Sequence, residues 1–573
     1  MNVTDNRSTD REFVRGEMQP WTDYSGGRAP ASGSVLAALL ADLLPQSKRA
    51  LVVGPHGSDL IDAVAARSAQ TTVLVRSVGD AESLRAVISN TTVTIVAGSL
   101  DGLIDSLTED ETYDLVLAAD GLDRVMGYDA PQQDWHTRAA ALVRAAAAGA
   151  MVVVGMQNDF ALTELFDSRP SHKRHGDDEW WPLHDDPTRP ASPAQLRDAL
   201  TGLGLETSLL WATVDVAGET HTLVEVDALA ATRPGRPAAR IAVRAFETAA
   251  TAVPLLASLA EGVNAAACAG QLGAVTPGWL VVCGPRPPAV HTIYTRGGNT
   301  SSVLAADLAD NRWKLVTVAG AGSSPAGLSA NESPAEVPDT ESVERLLLRA
   351  AAKEDVPEFR RLAEQLGDWV GKSAAEFGPG AVICLDDTGV DGDTFARGVL
   401  ARQTAEESDT AELLAAAWHR FADRLTRGHH RHPWPPWMSG ADLVRTWLSM
   451  SGEEPTDAIL DRGRQIAEAV AVVMDAPQVA TPSPDLRTQL VDAETARTQA
   501  VELAGHVFGL ERTLKMRDQQ LKVREGRLRS LRSEMSRFRG SRAARLAVVI
   551  RKVGVVRDPK RLARAVKRRL PGH

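Results

Sequence analysis

The chain is poor in cysteine. It has three, Cys268, Cys283 and Cys384, odd in number and far apart. That excludes a disulfide framework and a thiolate zinc site, and it fits a reducing cytosol. No run of about 18 apolar residues occurs, so no transmembrane helix is expected. The opening MNVTDNRSTDREF is polar and lacks an apolar core, so no signal peptide is expected either. Neither an HxxxH nor a CxxC pair is present, and the acidic turn DDTGVDGD (386–393) lacks EF-hand spacing. No metal is expected. Glycine and proline are at ordinary levels, which rules out collagenous and low-complexity chains.

What is present is enough apolar sequence, 44% of 573 residues, to bury a real core. At about 100–200 residues per domain the length suggests three or four units. The net charge of -11 conceals an asymmetry: Glu511–His573 carries 21 Lys+Arg against 5 Asp+Glu, so an acidic body ends in a basic tail. Such a tail points to an anionic partner.

Residues 1–32, polar and punctuated by Gly, Ser and Pro, read as a flexible arm. Strand-like and helix-like segments then alternate: RALVVG (49–54), SDLIDAVAARS (58–68), TTVLVRS (71–77), DAESLRAVI (80–88), TTVTIVAG (91–98), YDLVLAAD (113–120), WHTRAAALVRAAAA (135–148) and AMVVVGM (150–156). The strands are β-branched and apolar on both faces, as a covered parallel sheet requires. The alternation predicts a doubly wound α/β domain over 33–234. Its last helix is SPAQLRDALTGLGL, with Ser192 as N-cap and Pro193 at the first helical position. The strands LETSLLWATV and THTLVEVDA close it. A mixed α+β region (235–480), a coiled coil (486–540) and a basic amphipathic tail (541–573) follow.

The segment order over 46–226 resembles a class I S-adenosylmethionine-dependent methyltransferase. ALVVGPHGS stands at that family's Gly-rich first loop, YDLVLAADGLDRV at its fourth-strand motif and RAAAAGAMVVVG at the lead-in to strand five. The two strands after SPAQLRDALTGLGL are similar to its final antiparallel hairpin. The resemblance implies S-adenosylmethionine as cofactor and Gly54, Pro55, His56, Gly57, Arg76, Ser99 and Asp120 as its contacts, with Asp101 a further candidate. The chemistry departs from the family. Pro55 and His56 replace small residues, Val52 stands where an acid is usual, and Arg76 lies near the place of the ribose acid.

Methyl transfer needs proximity, and a base only where the acceptor must lose a proton. The loop after the fifth strand offers Asn158, Asp159, His172, His175, Asp177, Asp178, the apolar wall Trp180/Trp181, then His184, Asp185 and Asp186. His175 and Asp177 are the candidate catalytic residues. HHRHPWPPWM (429–438) reads first as a rigid corner, because proline fixes the chain and tryptophan fills a groove. It is similar to a segment in multi-part methyltransferase-like proteins of bacterial surface-glycan gene clusters, which implies a glycan-linked substrate.

From Leu486 the pattern is heptad. The a positions Leu486, Ala493, Ala500, Val507, Leu514, Leu521, Leu528 and Met535 are all apolar. The d positions include Ala496, Leu503, Leu510, Leu531 and Phe538, interrupted by Gln489, Arg517 and Arg524. That predicts a homo-oligomeric coiled coil roughly 80 Å long at ~1.5 Å per residue. Beyond it, Leu562, Val566 and Leu570 recur among Arg561, Arg564, Lys567 and Arg568, which suits an anionic membrane surface better than nucleic acid. Two functions are therefore expected. One is a cytoplasmic methyltransferase acting on a glycan-linked or small-molecule acceptor, peripheral at the inner membrane face. The other is a non-catalytic, methyltransferase-like scaffold for envelope-glycan enzymes.

Overall fold

The computed structural model describes residues 12–556 except 20, 26–27, 109–110, 128–132, 170–185, 217, 251–254, 257–258, 288, 298–301, 321–328, 331–334, 378–380, 393, 400–402, 405–407, 429, 436 and 475–485. It divides into two units, Met1–Leu486 and Arg487–His573.

The first unit begins with α1 (Ser34–Leu43), β1 (Ser47–Val53), α2 (Ser58–Ala65), β2 (Ser68–Val75), α3 (Val78–Val87), β3 (Val93–Ala97), α4 (Leu100–Ser106), β4 (Tyr113–Ala118), α5 (Trp135–Ala145) and β5 (Ala146–Gln157). Then come α6 (Leu162–Phe166), α7 (Pro193–Gly202), β6 (Thr207–Val216), β7 (Glu219–Glu225), α8 (Val226–Ala231), α9 (Pro237–Ala250), α10 (Leu259–Ala269) and β8 (Gly278–Cys283). β9 (Ile293–Arg296), β10 (Val303–Ala309), β11 (Arg312–Ala319) and the short strand Glu336–Pro338 complete the sheet. The helices start where the sequence signals them: Ser77, Ser99, Asp134 and Ser192 each accept a backbone N–H of the first turn.

One sheet of twelve described strands runs β3-β2-β1-β4-β5-β8-β6-β7-β9-β10-β11 and ends on Glu336–Pro338. β1 to β5 are parallel. Apolar layers cover both faces, Leu51, Val53, Val116 and Val154 facing one and Val52, Leu115, Leu117 and Val153 the other. The doubly wound order is as the alternation predicts.

The closing strands differ from expectation. β7 pairs with the outer side of β6, and the antiparallel strand between β5 and β6 is β8, which begins some fifty residues beyond the end of β7. All six residues of β8, GWLVVC, are buried, so they demand a central position, while β7 accepts one nearer the far half of the sheet. The boundary expected at 235 is therefore wrong, because it cuts through one continuous sheet. An antiparallel extension of β9, β10 and β11 continues the sheet beyond the predicted strands. β10 and β11 are joined at Asp310 and Asn311, both at positive φ (52° and 60°), the turn chemistry of a tight hairpin.

The helical part of the first unit comprises α11 (Val343–Ala352), α12 (Val356–Phe377), α13 (Thr410–Arg427), α14 (Gly440–Met450) and α15 (Asp457–Met474). Thr388–Asp391 and Thr394–Arg397 form an antiparallel hairpin. Phe359, Trp418, Phe421 and Trp447 pack as one aromatic cluster. Trp434 of the HHRHPWPPWM string packs on it, meeting Phe359 at 4.8 Å and Trp447 at 5.0 Å between ring centroids.

The second unit contains α16 (Leu486–Gly540) and α17 (Arg542–Val556). The expected coiled coil is here one long helix. Its seam is uncovered, with Leu514 60%, Leu521 56%, Leu528 52% and Met535 58% exposed. Among the described residues, no helix is long and apolar enough to cross a membrane.

Candidate functional site

In a doubly wound sheet, ligands bind outside the carboxyl ends of the strands where the winding reverses. Here that place lies between β1 and β4, flanked by the ends of β2 and β3. Residues 12–32 run across it. Phe13 bridges to Ala97 at the end of β3, Met18 to Ser77 after β2, and Ala31 to His56 after β1. The segment expected to be a loose arm is thus, in its described part, built onto the sheet. Its polar groups find partners there that solvent would otherwise supply. Two glycines let it lie close. A Cβ on Gly102 would sit 2.1 Å from the Arg15 carbonyl oxygen, and one on Gly127 2.0 Å from that of Gly16.

Gly54, Pro55, His56 and Gly57 form the turn after β1, with Gly54 at φ 88°. The turn's N–H groups are spent within the chain. Gly54 donates to the Leu74 carbonyl (2.9 Å) and Gly57 to that of Ala31 (2.9 Å), while His56 donates to the Tyr24 hydroxyl oxygen (3.1 Å). That hydroxyl in turn donates to the His56 carbonyl (2.8 Å). Burial pushes the Tyr24 phenol up, so it stays protonated. The His56 ring is wholly buried. Nδ1 lies 3.0 Å from the Gly54 carbonyl oxygen, and Nε2 accepts the Ala119 N–H at 3.1 Å. Both bonds fit the neutral Nδ1–H tautomer, and burial lowers the ring's affinity for a second proton.

Arg76 follows β2. Its Nε and Nη2 each lie 2.7 Å from a carboxylate oxygen of Asp23. Burial would raise the Asp23 carboxyl, but the bonds and charge of Arg76 outweigh it and hold it below its usual value. Ser99, after β3, gives its hydroxyl proton to the Arg15 carbonyl (2.8 Å) or to Asp101. Asp101 also pairs with Arg15 at 2.9 Å. Asp120, after β4, is gripped by Arg124 at two points, 2.9 and 2.5 Å. Arg124 then donates to the carbonyls of Asp23, Arg28 and Ala29 (3.1, 3.0 and 2.9 Å). Val125 is buried beside Val14, Val53, Leu74 and Leu100, and its carbonyl accepts the Leu100 N–H at 2.8 Å. Apolar core thus continues into the crevice.

The seven expected contacts do come together at the carboxyl edge. As folded, the amides of His56 and Gly57 and the guanidinium of Arg76 are held by Tyr24, Ala31 and Asp23. A nucleoside there needs an open turn to approach and an acid for its ribose hydroxyls. The turn is bonded to residues 24–31, and a paired arginine stands in place of the acid. Sequence reasoning missed Asp23, Tyr24, Arg28 and Arg124, which close the site. The signal was an arm with acids and arginines of its own beside an acid-poor loop.

On the acceptor side, His172, His175, Asp177, Asp178, Trp180, Trp181, His184 and Asp185 lie outside the described residues. The Asn158 amide donates to the Ala274 and Thr276 carbonyls (2.9 and 2.7 Å), clipping β5 to the segment before β8. Asp159 pairs with Arg189 at 2.7 Å, and Asp186 accepts the Trp135 N–H at the start of α5. These are structural roles. Cys283 is also inert, because burial in β8 pushes its thiol up to about 11. Among the described residues, no cluster of His, Cys, Asp and Glu could hold a metal.

No protein-family model matches the chain, and no curated protein matches it. Solved structures do. A chain from the complex of the Haloferax volcanii Trm112 methyltransferase activator with a methyltransferase is similar at 15% identity and TM-score 0.26, over 45% of this chain and 89% of that one. A SAM-dependent methyltransferase from Archaeoglobus fulgidus gives 10% and 0.24, over 42% and 86%. The N-methyltransferase NodS from Bradyrhizobium japonicum WM9, solved with S-adenosyl-L-homocysteine, gives 18% and 0.17, over 22% and 59%.

Proposed function

We propose that this chain is a non-catalytic scaffold. It has a doubly wound, methyltransferase-like body whose ligand crevice is filled by its own residues 12–32, and a long helix for assembly. One observation carries the reading: the His56 and Gly57 N–H groups, Arg76 and Ser99, which a nucleotide cofactor would meet, are already paired with that segment. In this reading α16 joins copies of the chain through its exposed seam. A buried a/d seam gives stable association where charges can stay at the rim.

The second reading is S-adenosylmethionine-dependent methyl transfer to a glycan-linked acceptor. The β3-β2-β1-β4-β5 order and the positive φ of Gly54 favour it. It requires residues 12–32 to leave the crevice. Calorimetric titration of S-adenosylmethionine into the full-length chain separates the two. No heat of binding supports the scaffold, and a micromolar complex lost on Gly54→Arg supports the enzyme.

A further inference from the structure

The second unit carries a feature that self-association does not use. α17 begins immediately after the break at Ser541, whose hydroxyl accepts the Ala544 N–H as a helix cap. Leu546, Val549 and Ile550 recur at the three- and four-residue spacing that places side chains on one helix face. Leu546, Val549 and Ile550 are 60%, 56% and 64% exposed. Arg545 and Arg551 flank that stripe, and the helix holds no acidic residue. The end of α16 leading into it is equally one-sided: Leu514–Gly540 has nine Lys+Arg against three Asp+Glu.

We propose that α17, with the basic end of α16, is a docking surface for an anionic lipid bilayer. The chemistry selects lipid over the other polyanions. An exposed aliphatic stripe gains nothing from a phosphodiester backbone. It is what an interfacial helix buries below the headgroups, while arginines beside it meet anionic phosphates. Base stacking would need aromatic rings, and α17 has none. The stripe is too short to span a bilayer, so the helix lies on the surface. The inference does not depend on what the crevice holds.

The test is co-sedimentation of the full-length chain with vesicles of phosphatidylcholine alone, or with a third of the lipid replaced by phosphatidylglycerol. The expected result is sedimentation with the phosphatidylglycerol vesicles only, weakened by salt. Two variants on the exposed helix, Leu546→Glu/Ile550→Glu and Arg545→Glu/Arg551→Glu, should each weaken it about tenfold or more. Unchanged circular dichroism and light-scattering mass would show that fold and assembly persist in them. Failure to sediment with either vesicle overturns the proposal, as does sedimentation that both variants leave intact. Duplex DNA that outcompetes the vesicles for the same residues would reassign the surface to nucleic acid and also overturn it.

Discussion

Asp23 and Arg76, 53 positions apart in the chain, form a two-point ion pair at 2.7 Å per contact, with both side chains almost completely buried. Arg76 closes β2 and Asp23 belongs to the N-terminal segment, so the pair fixes where that segment crosses the sheet. Its net contribution to stability is small, because desolvation offsets the attraction, but removing one partner strands a buried charge. Asp23→Ala should therefore cost about 3–5 kcal/mol. Chemical denaturation checks this, and a change within 1 kcal/mol would show that the pair is solvated.

Gly102→Ala, in the helix that Ser99 caps, acts on the same segment. The added Cβ would meet the Arg15 carbonyl oxygen at 2.1 Å, and a backbone oxygen yields only if residues 14–16 lift. Faster proteolysis in the N-terminal segment is the expected outcome, with the β-sheet signal unchanged. Wild-type cleavage kinetics would mean that the segment already stands away from the sheet.

Much of this was legible in the sequence. β1 to β5 and their helices follow from apolar runs and caps such as Asp134 and Ser192, whose cause is local. Position within the sheet was not legible. GWLVVCG reads as a buried strand anywhere, and its place between β5 and β6 is decided by which slot lets all its side chains leave water. The site was legible as a location and not as a state. Gly54 and His56 mark the turn. That Tyr24 and Ala31 would take its hydrogen bonds depends on contacts between distant segments, which no local pattern encodes.

Stability should also depend on pH through Glu344 on α11. Burial and the neighbouring carboxylates Asp386 and Glu247 raise its carboxyl to about 7, against the pull of Arg424 and Arg420. A folded-state value above the unfolded one means that the protonated form is favoured by folding. Its contribution is full below the unfolded value and is lost as pH rises through about 7. Melting temperatures from pH 5 to 8 should show this loss in wild type and less of it in Glu344→Gln. His56 acts in the opposite direction, since its neutral ring favours the fold and that contribution is lost as pH falls below the ordinary imidazole range.

Assembly rests on the α16 seam. Deleting residues 486–573 should give monomers by light scattering. Leu514→Glu/Leu521→Glu, two exposed seam positions, should do the same with the body intact. An unchanged mass in both would remove α16 from the assembly.

The most direct test of the closed crevice is hydrogen exchange at the amides of His56 and Gly57 in the full-length chain, with and without saturating S-adenosylhomocysteine. These two N–H groups are bonded to Tyr24 and Ala31. The account predicts protection comparable to the β1 core and no change on adding the nucleoside. Rapid exchange that slows only when S-adenosylhomocysteine is present would contradict it, and would show the turn to be an open cofactor site.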